Sequence, residues 1–256
     1  PEGELSYILR FLSERLEGSC GFWAKTCVKL AVMGMLLSRM EQEETDLAVL
    51  SGDFSGVLAG VYLKQMGFPV GKIICCCNEN NSPWELVHLG QLRTDGVYEK
   101  TRTPLADVVL PMGLEHLLYC MGGPKPAVEY AKVSYMGLTY EPEQSLLRQM
   151  QRALFVGVTS ESRLTLTLTG VLKNYDCLLS PYTAILYAGV QDYRSKAGEN
   201  RRALLLSERS PEPDSDTISA LLDVPGATVR EYLNTGRWVR GAVCHRRFAS
   251  VPGRAE

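Results

Sequence analysis

A short turn at residues 51–56 has the residue types and spacing with the clearest chemical potential in this sequence. An apolar run ending at Leu50 has strand character, and Ser51-Gly52-Asp53 follows it with turn and helix-cap chemistry. From Val57 onward the apolar residues recur at helical spacing. A helix that begins directly after such a turn presents unpaired backbone N–H groups, which attract anions. The pattern predicts either a phosphate site here or an ordinary strand-to-helix connection.

The spacing of the glycines limits which phosphate compound this turn could hold. The stretch "SGDFSG" matches neither the G-x-x-x-x-G-K-[ST] loop that cradles nucleoside triphosphates nor the G-x-G-x-x-G dinucleotide fingerprint. A single phosphate on a small cofactor remains compatible with the turn. The sequence therefore disfavours nucleotides as ligands.

The elements that must position this turn alternate between strands and helices. Strands are predicted at 46–50, at 72–77, in "ADVVLP" and in "RRALLLS". Helices are predicted at 4–17, 22–40, 56–66, 112–121, 143–154, 160–173 and 182–195, with "GSCG" separating the first two. This alternation predicts an α/β fold in which a mostly parallel sheet is flanked by helices.

Composition and charge exclude several classes of protein. The chain has 256 residues, is 45% hydrophobic and carries a formal net charge of -2, so no general attraction to nucleic acid or to a membrane surface is expected. The most apolar stretch, "CVKLAVMGMLL", is interrupted by Lys29 and is too short to span a bilayer. Only residues 237–256 are locally basic, with five arginines against one glutamate.

The cysteines and histidines favour a reduced cytoplasmic protein without a metal site. Eight cysteines are present, but none forms a C-x-x-C pair and only three histidines accompany them. Cys75-Cys76-Cys77 lies in an apolar run whose side chains should alternate between the two faces of a strand. His88, His116 and His245 are far apart in sequence and are expected on surfaces or helix faces rather than in catalysis.

Three collinear segments resemble threonine synthase, a pyridoxal-phosphate enzyme of the tryptophan-synthase-β-like fold (fold type II). They are "VLSGDFSGVLAGVYLKQMGFPVGKIICCCNENN", "DGVYEKTRTPLADVVLPMGLEHLLY" and "LLSPYTAILYAGVQDYRSKAGENRRALLLSERSP". The resemblance extends over residues 20–225 and implies an incomplete version of that fold. It divides the chain into a helical segment at 1–45, a cofactor-binding α/β region at 46–225 and a basic C-terminal tail at 226–256.

The resemblance also implies a cofactor site and a reaction. The phosphate of pyridoxal phosphate would lie at the turn, and the pyridine nitrogen would face the end of "RRALLLSE". The implied cofactor-binding residues are Gly52, Asp53, Phe54, Ser55, Gly56, Ser207 and Glu208. A carboxylate at Glu208, where the family has threonine, would favour a protonated ring nitrogen. The implied reaction converts O-phosphohomoserine, a phosphorylated amino acid, and water to threonine and phosphate.

The departures from the family pattern leave two functions open. The family's Schiff-base lysine lies well upstream of the turn, whereas Lys25 and Lys29 fall in a helix that matches a later family segment. The chain is therefore expected to be inactive alone, either as the C-terminal part of a longer enzyme or as a homologue without the catalytic half. The alternative function is a non-catalytic binding or subunit-interaction module. The oligomeric state is left open.

Two side chains depart from the family pattern at the site itself. Asp53, where the family has asparagine, places a carboxylate at the phosphate position, which would weaken or abolish cofactor binding unless the side chain points away and caps the helix. Glu208 either reaches the cofactor ring or faces solvent beside Arg209 or Arg201. The sequence does not decide between these positions.

Overall fold

The structure is a computed structural model that describes residues 18–40, 43–96, 98–239 and 243–245. The helix predicted at 4–17 and most of the basic residues of the C-terminal tail lie outside the described residues. The described part of the tail region contains a helix, Gly226–Asn234, and a short strand, Val243–His245.

Helices and strands alternate along the described chain as the sequence predicts. The strands are β1 Thr45–Leu50, β2 Val70–Cys77, β3 Leu92–Arg93, β4 Thr139–Tyr140, β5 Leu154–Val158, β6 Ala203–Leu205 and β7 Val243–His245. The helices are α1 Gly18–Ser38, α2 Ser55–Gln65, α3 Ser82–Trp84 with a π-helical turn at Glu85–Leu89, α4 Leu114–Gly122, α5 Pro124–Tyr135, α6 Gln144–Ala153, α7 Glu161–Tyr175, α8 Pro181–Ala197, α9 Ser215–Leu222 and α10 Gly226–Asn234.

The main sheet has the strand order β5-β2-β1-β6-β7. The first four strands are parallel, with Ile74 beside Phe155 and Ala48 beside both Ile74 and Leu205. Strand β7 runs antiparallel at the edge next to β6. The predicted fold class, a mostly parallel sheet flanked by helices, is confirmed.

The central strand β1 separates two hydrophobic layers. All six of its residues are buried, as expected for a strand covered on both faces. Leu47 and Val49 pack into the layer formed with α1, α2, α4 and α5, whereas Ala48 and Leu50 pack into the layer formed with α7 and α8. The carboxyl end of β1 therefore lies between the two helical layers, where Ser51 begins the turn.

Several predicted element boundaries are wrong. The "GSCG" stretch does not separate helices within the described chain, because α1 begins at Gly18 and continues through it. The stretch "ADVVLP" forms no strand, since only the 3₁₀ turn Pro104–Ala106 is regular there. Helix α5, which begins with Pro124 in its first turn, and strand β5 were not predicted. Proline is tolerated in the first turn of a helix, so "GGPKP" starts a helix rather than ending structure.

The three consecutive cysteines alternate between the two layers, as predicted. Cys75 and Cys77 lie in the layer of α1 and α2, and Cys76 lies in the layer of α8. The six cysteines whose side chains the structure describes are all free thiols. Among the described residues no cluster of side chains could hold a metal ion, and no helix has the length and apolar character needed to cross a membrane.

Candidate functional site

The turn after β1 is shaped by two residues with left-handed backbone. Gly52 has φ 28° and Phe54 has φ 65°. The Phe54 amide donates to the Ser51 carbonyl at 2.8 Å, which closes the turn before α2 begins at Ser55. The left-handed conformation of Phe54 is unfavourable for a residue with a side chain, and it is held by the packing of the ring in the core, where the residue is 3% exposed. The turn therefore has a fixed shape at the carboxyl edge of the sheet.

Gly56 sets the distance between α2 and the strand that precedes it. A Cβ atom at this position would lie 3.1 Å from the Cβ of Val49, closer than most real contacts. Without that atom the first turn of α2 packs directly on β1. The two glycines of "SGDFSG" are thus required for different reasons. Gly52 allows the left-handed backbone of the turn, and Gly56 allows the close packing of α2 on β1.

The Asp53 side chain occupies the anion position at the N-terminus of α2. Its Oδ1 accepts hydrogen bonds from the Ser55 amide at 3.0 Å and from the Ser55 hydroxyl at 2.5 Å. Burial raises the pKa of this carboxyl, but Lys29, the two hydrogen bonds from Ser55 and Lys25 outweigh it and hold the pKa below its ordinary value. The helix N-terminus therefore already holds a carboxylate that belongs to the chain itself.

Lys29 joins the two ends of the predicted site. It lies on α1 with only 4% of its side chain exposed, and its Nζ lies 2.7 Å from Glu208 Oε1. The same Nζ donates to Ser55 Oγ at 2.7 Å and lies 3.9 Å from Asp53 Oδ1. One ammonium group therefore contacts both the turn and the residue predicted to face the cofactor ring.

The alternative pairing of Glu208 is wrong. Glu208 is 22% exposed and pairs with Lys29, whereas Arg209 pairs with Asp214 at 2.8 Å and Arg201 pairs with Glu44 and Glu199. Leu206, two residues earlier, packs in the layer of α1, and Glu208 reaches Lys29 on that helix, although both residues lie beyond the end of β6. Glu208 thus faces the same space as the turn.

Ser207 faces the opposite layer from Glu208. Its hydroxyl lies 2.6 Å from Thr183 Oγ1, which in turn lies 2.8 Å from Ser180 Oγ at the N-terminus of α8. These three buried hydroxyl groups connect the end of the sheet to α8. Of the two residues predicted at the ring position, only Glu208 lies in the cluster with Asp53, Ser55 and Lys29.

A loop from 99 to 113 covers the turn. The Gly113 amide donates to the Asp53 carbonyl at 2.9 Å, and the Leu105 carbonyl would lie 3.4 Å from a Cβ atom at Gly52. The loop is held by Asp107, whose Oδ1 accepts from Asn78 Nδ2 at 2.6 Å and from other polar groups around it. The group of this loop that faces Gly52 is therefore a carbonyl oxygen, which accepts hydrogen bonds and cannot donate one to an anion.

The histidines lie outside this cluster wherever their side chains are described. His116 stacks on Phe22 with ring centroids 4.9 Å apart, and His88 stacks on Trp84 with centroids 4.8 Å apart. Burial lowers the pKa of His88. Both side chains lie on helix faces against aromatic rings, as predicted; the side chain of His245 is outside the described part.

Sequence reasoning missed Lys29. The signal that could have found it is the position of one lysine within the apolar run "CVKLAVMGMLL". A lysine within such an apolar run is expected to be buried with its helix. It then needs an oppositely charged partner, because an unpaired buried charge is very unfavourable. The sequence does not identify Glu208 as that counter-charge.

The fold described above is the fold of solved threonine synthases. The pyridoxal-phosphate-bound threonine synthase of Brucella melitensis matches with a TM-score of 0.72 and 19% identity, over 85% of this chain and 49% of that chain. The threonine synthase of yeast matches with a TM-score of 0.68 and 18% identity, over 85% of this chain and 48% of that chain. These matches establish the fold.

Curated relatives add a resemblance in sequence. The human protein "Threonine synthase-like 1" is 24% identical over 144 residues, which is 55% of this chain and 19% of that protein. The threonine synthase of Eremothecium gossypii is 36% identical over 77 residues, 28% of this chain and 14% of that enzyme. No family model matches the chain. The chain thus has the threonine synthase fold and resembles these proteins in sequence, and it spans about a fifth of the first curated relatives and about half of the solved chains.

The residues present do not fit pyridoxal phosphate as the resemblance implies it would bind. The Asp53 carboxylate takes the backbone and hydroxyl donors of Ser55 and would repel a phosphate. Ser55 Oγ and Glu208 Oε1 each lie 2.7 Å from Lys29 Nζ, so an ammonium group of the chain already pairs with the residue that the resemblance assigns to the pyridine nitrogen. Two lysines and two carboxylates balance their charges without a ligand.

Proposed function

We propose that this chain is a non-catalytic, threonine synthase-like module that acts in binding or subunit interaction. The observation that carries the proposal is the Asp53 carboxylate at the N-terminus of α2, because it occupies the anion position with its own negative charge. Conversion of O-phosphohomoserine to threonine, the reaction implied by the resemblance, needs a phosphorylated cofactor at that position. The proposal therefore assigns the chain no such activity by itself.

Cofactor binding provides the first test. Pyridoxal phosphate reacts with surface lysines through its aldehyde, so 4′-deoxypyridoxine 5′-phosphate, which lacks the aldehyde, is the cleaner probe for calorimetry. We expect no heat of binding for the purified chain at millimolar probe. Stoichiometric binding would contradict the proposal.

Turnover provides the second test. The purified chain is incubated with O-phosphohomoserine and pyridoxal phosphate, and released phosphate is assayed against a no-protein blank. We expect no release above the blank, since no lysine of the chain matches the family's Schiff-base position. Phosphate release above the blank would overturn the proposal and would indicate that one of the chain's own lysines acts.

The interaction part of the proposal rests on the outer face of α1. Apart from Lys25 and Lys29, which face the charge cluster, this helix is mostly apolar, and its outward stripe consists of Trp23, Cys27, Ala31 and Met35. Trp23 is 38% exposed and Met35 is 47% exposed. Helices that are apolar all round are normally covered on every side. The stripe carries no charge, so two copies of it can pack face to face without like-charge repulsion, and we take a second copy of this chain as its partner.

Sedimentation measures this association directly. The purified chain is expected to form a dimer whose population rises with concentration, and Met35→Glu is expected to shift it to the monomer. Leu166→Glu is the matched control, because Leu166 is an apolar side chain on α7 that is 67% exposed. A chain that stays monomeric at all concentrations, or a dimer that both variants weaken equally, contradicts an interface on α1.

A further inference from the structure

The buried ammonium group of Lys29 connects three separate parts of the fold. The lysine belongs to α1, Ser55 and Asp53 belong to the turn before α2, and Glu208 follows β6. The contacts form a short chain in which Lys29 Nζ donates to Ser55 Oγ and Ser55 Oγ donates to Asp53 Oδ1. Glu208 Oε1 completes the charge pairing at 2.7 Å.

Removing a lysine or a carboxylate from this cluster would leave an oppositely charged, partly buried side chain without its partner. Lys29 is 4% exposed, Glu208 is 22% exposed and Asp53 is 30% exposed. Lys25, also 30% exposed, lies 3.6 Å from Asp53 Oδ2 and brings the cluster to two positive and two negative charges. A buried ion pair adds little stability compared with well-packed apolar side chains in its place. Removing only one of the two partners, however, is strongly destabilising.

We infer that Lys29 replaces a bound cofactor as the group that holds α1, the turn and the residue after β6 together. The inference deepens the proposed function and rests on it, because it explains how the fold closes at this edge without a ligand. It makes Lys29 a positioning residue that acts through Ser55 and Glu208. The chain should then reach its full stability in the absence of any phosphate compound.

Thermal unfolding of charge variants tests the inference. Lys29→Met should lower the unfolding midpoint by about 10 °C, since it removes the counter-ion of Glu208 and leaves Asp53 only the more distant Lys25. Lys25→Met is the matched control on the same helix and should lower the midpoint much less, because Lys25 is more exposed and more distant from its partner. The unfolding midpoint of Lys29→Arg, which keeps the charge, should lie between the midpoints of Lys29→Met and Lys25→Met.

A second substitution distinguishes charge pairing from simple packing. The double variant Lys29→Met with Glu208→Gln should regain a large part of the lost midpoint, because the unpaired carboxylate is gone. A midpoint for Lys29→Met equal to that of Lys25→Met would overturn the inference. No recovery in the double variant would also overturn it, because it would mean that the lysine acts through packing.

The same samples separate failure of the inference from failure of the proposed function. Adding 4′-deoxypyridoxine 5′-phosphate should leave the midpoint of the unsubstituted chain unchanged, whereas a ligand bound to the native state would raise it. A raised midpoint contradicts the proposed function whatever the variants do. An unchanged midpoint together with a stable Lys29→Met variant contradicts only the role of Lys29.

Discussion

Lys29 Nζ and Glu208 Oε1 lie 2.7 Å apart, although one residue is on the first described helix and the other follows the fourth parallel strand. Glu208 is the residue that the resemblance to threonine synthase assigns to the cofactor ring, and here its carboxylate pairs with an ammonium group of the chain itself. The carboxylate of Asp53 lies beside it, on the N-terminus of α2.

The charge of Asp53 should control whether the turn accepts an anion. Asp53→Asn removes the negative charge but keeps a side chain that caps helices well, so the turn is expected to keep its shape. Lys25, Lys29 and the α2 N-terminus then face the turn without that carboxylate. Inorganic phosphate binding, measured by calorimetry, should tighten by at least about tenfold. Asp95→Asn, at an exposed position, is the control; equal affinities in both variants would mean that Asp53 does not block the site.

The ionised carboxylate of Asp53 should also stabilise the folded chain at neutral pH, and this stabilisation should be lost in acid. Its pKa is lower in the folded state than the ordinary value of about 4. The stabilisation is therefore fully present above that ordinary value and is lost as the pH falls through the lower folded value. Thermal midpoints measured from pH 6 to pH 2 should fall more steeply for the unsubstituted chain than for Asp53→Asn. Parallel curves would show that Asp53 has no shifted pKa.

Gly189 should be intolerant of a side chain, whereas Gly170 should accept one. A Cβ atom at Gly189 would lie 2.5 Å from Cys76 Sγ in the buried layer beneath α8, but one at Gly170 on α7 meets nothing within 4 Å. Gly189→Ala should lower the free energy of unfolding by about 1–3 kcal/mol through overpacking. Gly170→Ala should raise it by about 0.5–1 kcal/mol, since alanine restricts the unfolded chain and favours helix. Urea unfolding measures both, and a loss at Gly170 as large as that at Gly189 would refute the packing argument.

Thiol labelling should follow burial rather than position in sequence. Cys27 is exposed, whereas Cys76 and Cys177 are buried. Burial raises the pKa of Cys76, and it raises the pKa of Cys177 to about 11, so both thiols stay protonated and unreactive at neutral pH. Mass spectrometry of the native chain, treated briefly with iodoacetamide at a concentration where sedimentation shows the monomer, should find label on Cys27 and none on the two buried cysteines. Equal labelling under native conditions would contradict the packing of β2 and α8.

The fold class could be predicted from sequence because it depends on local patterns. Apolar runs bounded by turn residues mark β1 and β2, and helical spacing from Val57 marks α2. Strand β5 was missed because Leu154–Val158 follows α6 without a turn signal, so its residues continue an apolar pattern that also suits a helix. The residues of "ADVVLP" favour a strand, but Asp107 is instead held by the side chains of Asn78 and Thr101.

The sequence by itself determined the alternation of strands and helices, the presence of a turn at 51–56 and the mostly apolar character of α1. Each of these follows from neighbours in the chain, through steric limits on glycine, capping by short polar side chains and the spacing of apolar residues. Only the tertiary structure decided what the turn holds. Lys29, Asp53 and Glu208 meet because parallel strands bring their carboxyl ends to one edge of the sheet and α1 packs across that edge. A charge on a buried helix must be paired, but its partner is set by packing between distant segments, which no local pattern specifies.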